Sequence, residues 1–289
     1  MINSAFILHL QQKLYDQLAI SLEVNSFQRV GGGDINAAFK MSASSKNYFV
    51  KVNYKKEYPG LFEAEVIGLK LLKDKSSFVV PSFILQGDFE DKTYLILEHL
   101  NLERQGDWDQ FGSNLAQQHF NSTKQFGLNS SNYIGSLLQS NRFHDQWDAF
   151  FLEERLLPLF KMGYDEGLFS SADLLKCHSL GEELSSIFPK EEPALLHGDL
   201  WSGNAAFVSS APCIFDPAVY YGHREMDIAM MHLFGGFPKS CFQSYNEIHP
   251  LEIGWESRID VCNLYPLLVH AILFRGSYIY QVKDLIKRF

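Results

Sequence analysis

The alternation of hydrophobic and polar positions predicts that the first hundred residues form a small antiparallel sheet with two helices. Residues 1–22 are predicted to be helical, and apolar positions recur at helical spacing again in PGLFEAEVIGLKLLKD. Around these helices the chain alternates with a period of two and is rich in β-branched and aromatic residues, as strands are. The predicted strand segments are FQRV from Phe27, AAFKMSA, YFVKVN after a turn at SSKN, VVPSFILQGD and KTYLILEHL.

Beyond about residue 100 the apolar spacing becomes mainly helical, with one β-like interruption at 205–216. We therefore predict an α+β fold with two lobes, a small sheet-containing lobe at 1–100 and a larger, mainly helical lobe at 101–289. No run of about 18 apolar residues is present, so no membrane-spanning helix is expected. The first residues lack the basic start of a signal peptide, and a cytoplasmic location is expected.

Composition narrows the range of partners. Apolar residues make up 46% of the chain and charged residues 20%, as in ordinary globular proteins. The net charge of -9 argues against nucleic acid as the main partner and is compatible with a cationic substrate such as an amine. The four cysteines are widely spaced without a CxxC pair, which favours reduced, packed thiols. We expect a monomer or a weak dimer.

The first candidate for chemistry is the loop in LLHGDLWSGNAAF, where His197, Asp199 and Asn204 lie between apolar flanks. A buried carboxylate is costly unless it is paired, hydrogen-bonded or bound to a metal. A second carboxylate, Asp216, follows in APCIFDPAVYY. His197 is expected to position the loop backbone, because Asp199 is the better candidate for proton transfer.

A hairpin is predicted to bring these side chains together. If AAFV and CIF are strands joined by the turn SSAP, residue 205 lies opposite residue 216, and Asn204 converges with Asp216. Carboxylate and amide oxygens that face one point suit Mg²⁺. The alternative is a loop whose Asp and Asn cap a helix or satisfy a turn. The spacing HGDxxxxN with a later Asp favours phosphoryl transfer, with Asp199 as the base.

A cation and its partner are expected in the smaller lobe. Lys51 lies in the strand segment YFVKVN, and Glu65 lies on the apolar face of the following helix, whereas Glu63 falls off that face. A carboxylate that faces a core requires a cation, and a strand lysine paired with a helix glutamate is the arrangement by which kinases hold the α- and β-phosphates of ATP. The alternative is a solvent-facing lysine on an edge strand.

Two further segments are candidates for nucleotide binding. Gly31, Gly32 and Gly33 lie between two predicted strands, where backbone amides can approach phosphate oxygens closely, although a plain hairpin turn explains them equally well. The segment is neither a Walker A loop nor a Rossmann turn. Backbone groups around Glu98 and Leu100, where the chain leaves the sheet, are candidates for hydrogen bonds to adenine.

Several blocks of the sequence closely resemble the fructosamine kinase (ketosamine 3-kinase) family over about residues 25–285. These blocks are FEAEVIGLKLL, FGLNSSNYIGSLLQSN, WDAFFLEERLLPL, LLHGDLWSGN, FDPAVYYGHREMDIAMMHLFGGFP and LYPLLVHAILF. The resemblance implies a protein-kinase-like fold and transfer of phosphate, dependent on ATP and Mg²⁺, to the 3-hydroxyl of a ketosamine, either small or protein-bound.

The same resemblance implies a role for each matched residue. Asp199 is similar to the catalytic base, Asn204 and Asp216 to the metal ligands, and Lys51, held by Glu65, to the α/β-phosphate contact. HGD and DPA stand where protein kinases have HRD and DFG. These replacements imply a preassembled metal site and no switch through a phosphorylated activation loop.

The substrate contacts are open at this point. The segment GHREMDIAM carries four possible substrate contacts, His223, Arg224, Glu225 and Asp227, of which the two acidic residues are able to bind the amine of the substrate. The structural alternative is that Asp227 supports the catalytic loop and that Arg224 pairs with Glu225. For Asp227 we favour this structural role. Trp201 is a possible substrate contact, although a position in the core is expected.

Two other functions are compatible with the motifs. One is a related kinase that acts on an aminoglycoside, choline or another amino alcohol, which the family-specific blocks disfavour. The other is a nucleotide-binding pseudokinase, which usually lacks at least one of the residues Lys51, Asp199, Asn204 and Asp216, all present here.

Overall fold

The first part of the chain forms an antiparallel five-stranded sheet flanked by two helices. The computed structural model describes residues 2–19, 22–31, 35–44 and 46–289. The sheet order is β1-β2-β3-β5-β4. Its elements are α1 (Ser4–Leu18), β1 (Val24–Val30), β2 (Ala37–Ala43), β3 (Lys46–Tyr54), α2 (Leu61–Lys75), β4 (Phe83–Phe89) and β5 (Lys92–Glu98). The predicted elements are confirmed, with α1 shorter at both ends than the predicted 1–22 and β4 beginning four residues into the predicted segment VVPSFILQGD.

The two helices cover opposite faces of this sheet. Phe6, Leu10 and Leu14 recur on one side of α1 and are buried against one face, which includes Val50 and Val52. Lys51, between these two valines, points to the other face because successive strand side chains alternate. That second face packs against α2. A lysine in the central strand β3 is thereby buried, so the edge-strand alternative does not apply.

The rest of the chain is mainly helical. Its helices are α3 (Trp108–His119), α4 (Trp147–Phe150), a π-helical segment (Phe151–Leu156), α5 (Leu157–Asp165), α6 (Ser171–Ile187), α7 (Glu225–Phe234), α8 (Lys239–Ile248), α9 (Trp255–Phe274) and α10 (Ser277–Ile286). The largest hydrophobic core lies among these helices and includes the aromatic side chains of Trp147, Phe150 and Phe151. Cys177, Cys213, Cys241 and Cys262 are buried thiols. Among the described residues, none of the helices is both long and apolar enough to cross a membrane.

Three short β-hairpins or strand pairs interrupt the helices, where one interruption was predicted. They are β6 (Asn132–Ile134) with β7 (Leu137–Gln139), β8 (Ala194–Leu196) with β11 (Tyr220–Gly222), and β9 (Ala205–Val208) with β10 (Ala211–Ile214). Only the last of these was predicted. Strands of three residues are too short to show alternation, and β8 and β11 pair across more than 20 residues of chain, which explains why the pattern did not reveal them.

The predicted register of the β9–β10 hairpin is wrong by two residues. Ala205 pairs with Ile214 rather than with residue 216, because the turn consists of Ser209 and Ser210 alone. Both serines have positive φ, 48° and 68°, as the central residues of a two-residue type I′ hairpin turn do. Pro212, assigned to the turn in the prediction, lies within the strand instead. Asp216 therefore lies two residues beyond the end of the ladder.

Candidate active site

The loop between β8 and β9 holds Asp199 and Asn204 against each other. Asn204 is buried, and its Nδ2 donates to the Asp199 carboxylate at 3.0 Å and to the Asp199 carbonyl at 2.9 Å. Gly198 has φ +82°, and a Cβ there would lie 2.1 Å from the Ala218 carbonyl oxygen, so only glycine allows this path. The loop thus presents the carboxylate in one fixed orientation.

Two buried side chains support this loop from behind. One Asp227 oxygen accepts from the His197 backbone N–H at 2.7 Å, and the other accepts from that of Gly198 at 3.0 Å. The His197 ring contacts the Phe215 carbonyl oxygen through Nε2 at 3.0 Å. Asp227 and His197 therefore have the loop-positioning geometry that the sequence favoured for them.

The environment of Asp199 changes its acidity. Burial raises the pKa of Asp199 to about 7, the nearby charge of Asp216 adds to the rise, and the hydrogen bond from Asn204 opposes it. A carboxylate with a pKa near neutrality is a more effective proton acceptor than an ordinary one. This electrostatic arrangement suits a general base.

Lys51 joins the two parts of the chain at the site. Its Nζ lies 2.7 Å from Glu65 Oε1 and 2.6 Å from Asp216 Oδ1, and its side chain is only 6% exposed. Burial acts to lower the pKa of Lys51, but the charges of Asp216 and Glu65 outweigh it and raise that pKa, so the ammonium remains charged. The preference for Glu65 over Glu63 is confirmed by this contact.

Asp216 has an unusual backbone. Its φ is +56°, a left-handed conformation that is uncommon for a residue with a Cβ, although Asp adopts it more readily than most, and such conformations cluster at active sites and ligand-binding positions. Its side chain is 46% exposed, which is far more than that of its partner Lys51. The carboxylate is therefore paired on one oxygen and accessible on the other.

These side chains line one cavity of about 530 Å³. Besides Lys51, Glu65, Asp199, Asn204 and Asp216, its walls are largely apolar and aromatic. The aromatic residues that line it are Tyr133, Trp201, Phe234, Phe274 and Tyr278. Trp201 is 40% exposed, so the expectation that it lies in the core is wrong. The cavity thus combines a charged centre with room for an organic molecule.

Most of the residues that form these walls carry no motif that would mark them as functional in the sequence. Tyr133 belongs to β6, and Phe274 and Tyr278 belong to α9 and its successor α10. The blocks FGLNSSNYIG and LYPLLVHAILF contain or adjoin them. The family resemblance therefore included the segments that form the cavity, but it gave no physical reason for their presence there. A helix or hairpin of ordinary composition gives no signal for a cavity that long-range packing creates.

Four predicted substrate contacts lie elsewhere. Arg224 pairs with Glu191, its Nη2 and Nε lying 2.7 and 2.8 Å from the two carboxylate oxygens, and not with Glu225, so that predicted pair is wrong. Glu225 pairs instead with Arg258 at 2.6 Å. His223, Arg224, Glu225 and Asp227 are buried and do not line the cavity.

The remaining nucleotide candidates are placed as follows. Gly31 is exposed at the end of β1, whereas Gly32 and Gly33 lie outside the described residues. The Glu98 side chain is exposed and accepts from Ser82 Oγ at 2.7 Å, and the Glu98 N–H donates to the Ser82 carbonyl. Glu98 and Leu100 do not line the cavity, and hydrogen bonding to adenine there stays a prediction.

Comparison with known proteins agrees with this architecture. A model of the fructosamine kinase family matches residues 7–289. The "Probable ketoamine kinase" of Vibrio parahaemolyticus is 37% identical over 287 residues, covering 95% of this chain and 96% of its own. The chloroplastic protein-ribulosamine 3-kinase of Arabidopsis thaliana is 35% identical, covering 89% of this chain and 80% of its own.

Solved structures give the same result for the fold. A crystal structure of a Haemophilus somnus protein named for fructosamine-3-kinase superposes with a TM-score of 0.88 at 30% identity, covering 96% of both chains. The aminoglycoside phosphotransferase APH(4)-Ia superposes with a TM-score of 0.61 at 13% identity, covering 97% of this chain and 98% of its own, which shows a shared kinase-like fold alone. This chain belongs to the fructosamine kinase family.

Proposed function

We propose that the protein is a ketosamine 3-kinase that transfers the γ-phosphoryl group of ATP to the 3-hydroxyl of fructosamine or ribulosamine adducts of amines or proteins. The observation that carries the proposal is the convergence of Lys51, Glu65, Asp199, Asn204 and Asp216 on one cavity. The names of the relatives, ketoamine kinase and ribulosamine 3-kinase, support the same acceptor class.

Asp199 is assigned as the catalytic base. Its raised pKa and its fixed orientation suit acceptance of the proton from the attacking sugar hydroxyl. Phosphoryl transfer depends mainly on alignment and charge neutralisation, so orientation of the hydroxyl is part of the role assigned to this carboxylate.

The donor set fits Mg²⁺. Because Asn204 donates through Nδ2, its Oδ1 is directed away from Asp199. Asp216 gives Oδ1 to Lys51, and within the described ranges nothing donates to Asp216 Oδ2 or Asn204 Oδ1. Two such hard oxygens are suitable ligands. When bound, the ion would neutralise charge on the phosphates of the nucleotide.

Lys51 is assigned to the α- and β-phosphates, with Glu65 holding it in place. We assign nucleotide binding to residues 1–100, including the glycines 31–33 and the backbone at Glu98 and Leu100, and catalysis and acceptor binding to residues 101–289. A variant of the fold neighbour APH(4)-Ia has been crystallised with AMP-PNP, which supports a nucleoside triphosphate in this fold.

The cavity also supports the class of acceptor. Trp201, Tyr133 and Phe274 line it, and aromatic faces attract the secondary ammonium of a ketosamine as well as the apolar side of a sugar. Asp199 and Asp216 add negative charge to the same cavity. We assign Trp201 to the acceptor, and we assign no acceptor contact to the four buried residues 223–225 and 227.

The test is a panel of acceptors incubated with ATP and Mg²⁺. Fructosamine, ribulosamine and erythrulosamine conjugates of lysine are compared with an aminoglycoside and with choline, and ATP consumption and the position of the phosphate, by ³¹P NMR, are measured. We expect a 3-phosphate on at least one ketosamine and none on the other acceptors. Preferential phosphorylation of the aminoglycoside or choline, or ATP binding without turnover, would overturn the proposal.

A further inference from the structure

The segment that follows Asp216 is held by two buried amides. Asn132 Nδ2 donates to the Val219 carbonyl at 2.7 Å, and Gln139 Nε2 donates to the Ala218 carbonyl at 3.3 Å. Both amides belong to the β6–β7 hairpin, and Gln139 also donates to Asn132 Oδ1 at 2.7 Å. Hydrogen bonds from the mainly helical part of the chain therefore fix the carbonyl groups of this segment.

Further contacts fix the amides themselves. Asn141 Nδ2 donates to Asn132 Oδ1 at 2.9 Å, and Arg155 Nη2 donates to Asn141 Oδ1 at 2.6 Å. The Tyr265 hydroxyl donates to Gln139 Oε1. These side chains are all buried, and apart from Arg155 Nε their polar atoms are paired, which makes the network rigid. The segment after Asp216 thus has little freedom to move.

Helix α2 packs against the same segment from the opposite lobe, at Gly68. A Cβ on Gly68 would lie 3.2 Å from Pro217 Cγ and 3.3 Å from Val219 Cγ2, which is tighter than ordinary contact. Gly68 follows Glu65 by three residues and shares its helix face. Glycine inside a helix costs about 0.5–1 kcal/mol relative to alanine, so close approach is the physical reason for it here.

Both ends of α2 are also tied to the helical part. The Tyr133 hydroxyl donates to the Pro59 carbonyl at 2.8 Å just before α2, and Asn121 Nδ2 donates to the Lys75 carbonyl at 2.8 Å at its last residue. With the ends tied, the depth at which α2 sits is decided by its middle, where Gly68 meets Val219.

We propose that Gly68 is a positioning residue of the phosphoryl-transfer centre, because its contact with Pro217 and Val219 sets the separation between Glu65 and Asp216. Lys51 bonds both carboxylates, and a shift of α2 changes one of these distances at the expense of the other. The proposal rests on the proposed function for the chemistry of the centre, and on packing alone for its geometry.

The variant Gly68→Ala tests it with a small perturbation. The added methyl displaces α2 by a few tenths of an ångström, and we expect kcat/KM for ATP to fall about tenfold, since small misplacements of catalytic groups are costly. Affinity for MgADP, measured by calorimetry without acceptor, should fall as well, while KM for the ketosamine stays unchanged. The Tm should change little, because the higher helix propensity of alanine opposes the cost of the tight contact with Pro217 and Val219.

A control and a rescue separate positioning from general packing. Gly181, in α6, is a matched helical glycine whose added Cβ would meet the flexible end of Leu152 at 2.6 Å. Gly181→Ala should leave the kinetics unchanged. In the double variant Gly68→Ala/Val219→Ala the contact with the Val219 methyl groups is removed while Pro217 Cγ, at 3.2 Å, remains, so part of the lost kcat/KM should return relative to Val219→Ala alone.

The outcomes are decisive in both directions. Wild-type kinetics and MgADP affinity in Gly68→Ala, an equal loss in Gly181→Ala, or no recovery in the double variant would each overturn the positioning role. If the wild-type protein phosphorylates no ketosamine, the proposed function fails alone, and MgADP affinity across the four variants still decides the role of Gly68.

Discussion

A comparison of two groups of charged and polar side chains shows that they differ in how completely their atoms are paired. The site group consists of Lys51, Glu65, Asp199, Asn204 and Asp216. The structural group consists of Glu191, Arg224, Glu225 and Arg258. The first lines a cavity, and the second lies apart from it between α7, α9 and the loops nearby.

In the structural group both oxygens of each carboxylate are paired. Each arginine makes two hydrogen bonds to one carboxylate, and each also donates to backbone carbonyls, Arg224 to His249 and Pro250 and Arg258 to Glu252. In the site group, oxygens of Asp216 and Asn204 have no donor within the described ranges. Saturated charges stabilise the fold, whereas unsaturated charges around a cavity are available to a ligand. Pairing, and not residue type, therefore separates structural from functional charges here.

The largest predicted effect is in the site group. We expect Asp199→Asn to lower turnover by about 10³-fold or more, since general-base catalysis contributes about 10²–10⁴-fold, while ATP affinity is retained. Steady-state kinetics and calorimetric titration with ATP measure the two effects. Asp173→Asn, at a partly exposed carboxylate in the capping box of α6, serves as the control. Turnover near the wild-type rate in Asp199→Asn would exclude Asp199 as the base.

For the structural group the second prediction is a loss of stability without a change in substrate affinity. Arg258→Met leaves the buried Glu225 carboxylate without its partner, and the free energy of unfolding should fall by about 3–5 kcal/mol. Chemical denaturation measures this loss, and the KM values of the folded protein should not change. In the exposed pair Arg288–Asp260, Arg288→Met should cost at most about 1 kcal/mol. A loss of acceptor affinity in Arg258→Met at unchanged stability would move this group into the site.

The pH dependence should separate the groups again, with a smaller effect. Because the pKa of Asp199 is raised to about 7 and its carboxylate form is the active one, kcat/KM should be level above pH 7 and fall about tenfold per pH unit below it. The pH profile of kcat/KM at saturating Mg²⁺ is the measurement. A profile that is flat down to pH 5 would contradict the assignment.

The Glu191–Arg224 pair should contribute a stability that does not change over the pH range in which the activity falls. Burial acts to raise the pKa of Glu191, but the hydrogen bonds from Arg224 outweigh this and hold the pKa below its usual value. A carboxyl whose folded-state pKa is depressed contributes stability above its unfolded pKa, about 4.3, and loses that contribution as the pH falls through the folded value. Stability from this pair should therefore be unchanged between pH 7 and 5, where activity already declines.

The sequence predicted the charged centre better than the cavity around it. Asp199 and Asn204 are five residues apart and Glu65 lies on the buried face of its own helix, so local spacing was sufficient to find them. The partner of Arg224 was predicted wrongly because Glu191 lies 33 residues away, whereas Glu225 is adjacent. The walls formed by Tyr133 and Phe274 depend on packing between distant segments, which no local pattern encodes. The fold followed from periodicity, and its three-residue strands did not.

The smallest predicted effect concerns the hairpin that carries Asn204 and Asp216 at its open end. Ser209 and Ser210 both have positive φ, which Asn-Gly adopts at lower cost, so Ser209→Asn with Ser210→Gly should stabilise the protein by about 0.4–1 kcal/mol. Thermal denaturation measures the gain. Activity should not change, because the turn lies at the end of the ladder remote from the site group. If the turn had four residues, as SSAP suggested, the same exchange would bring no gain, and an altered KM for ATP would show that the register, and with it the position of Asp216, had shifted.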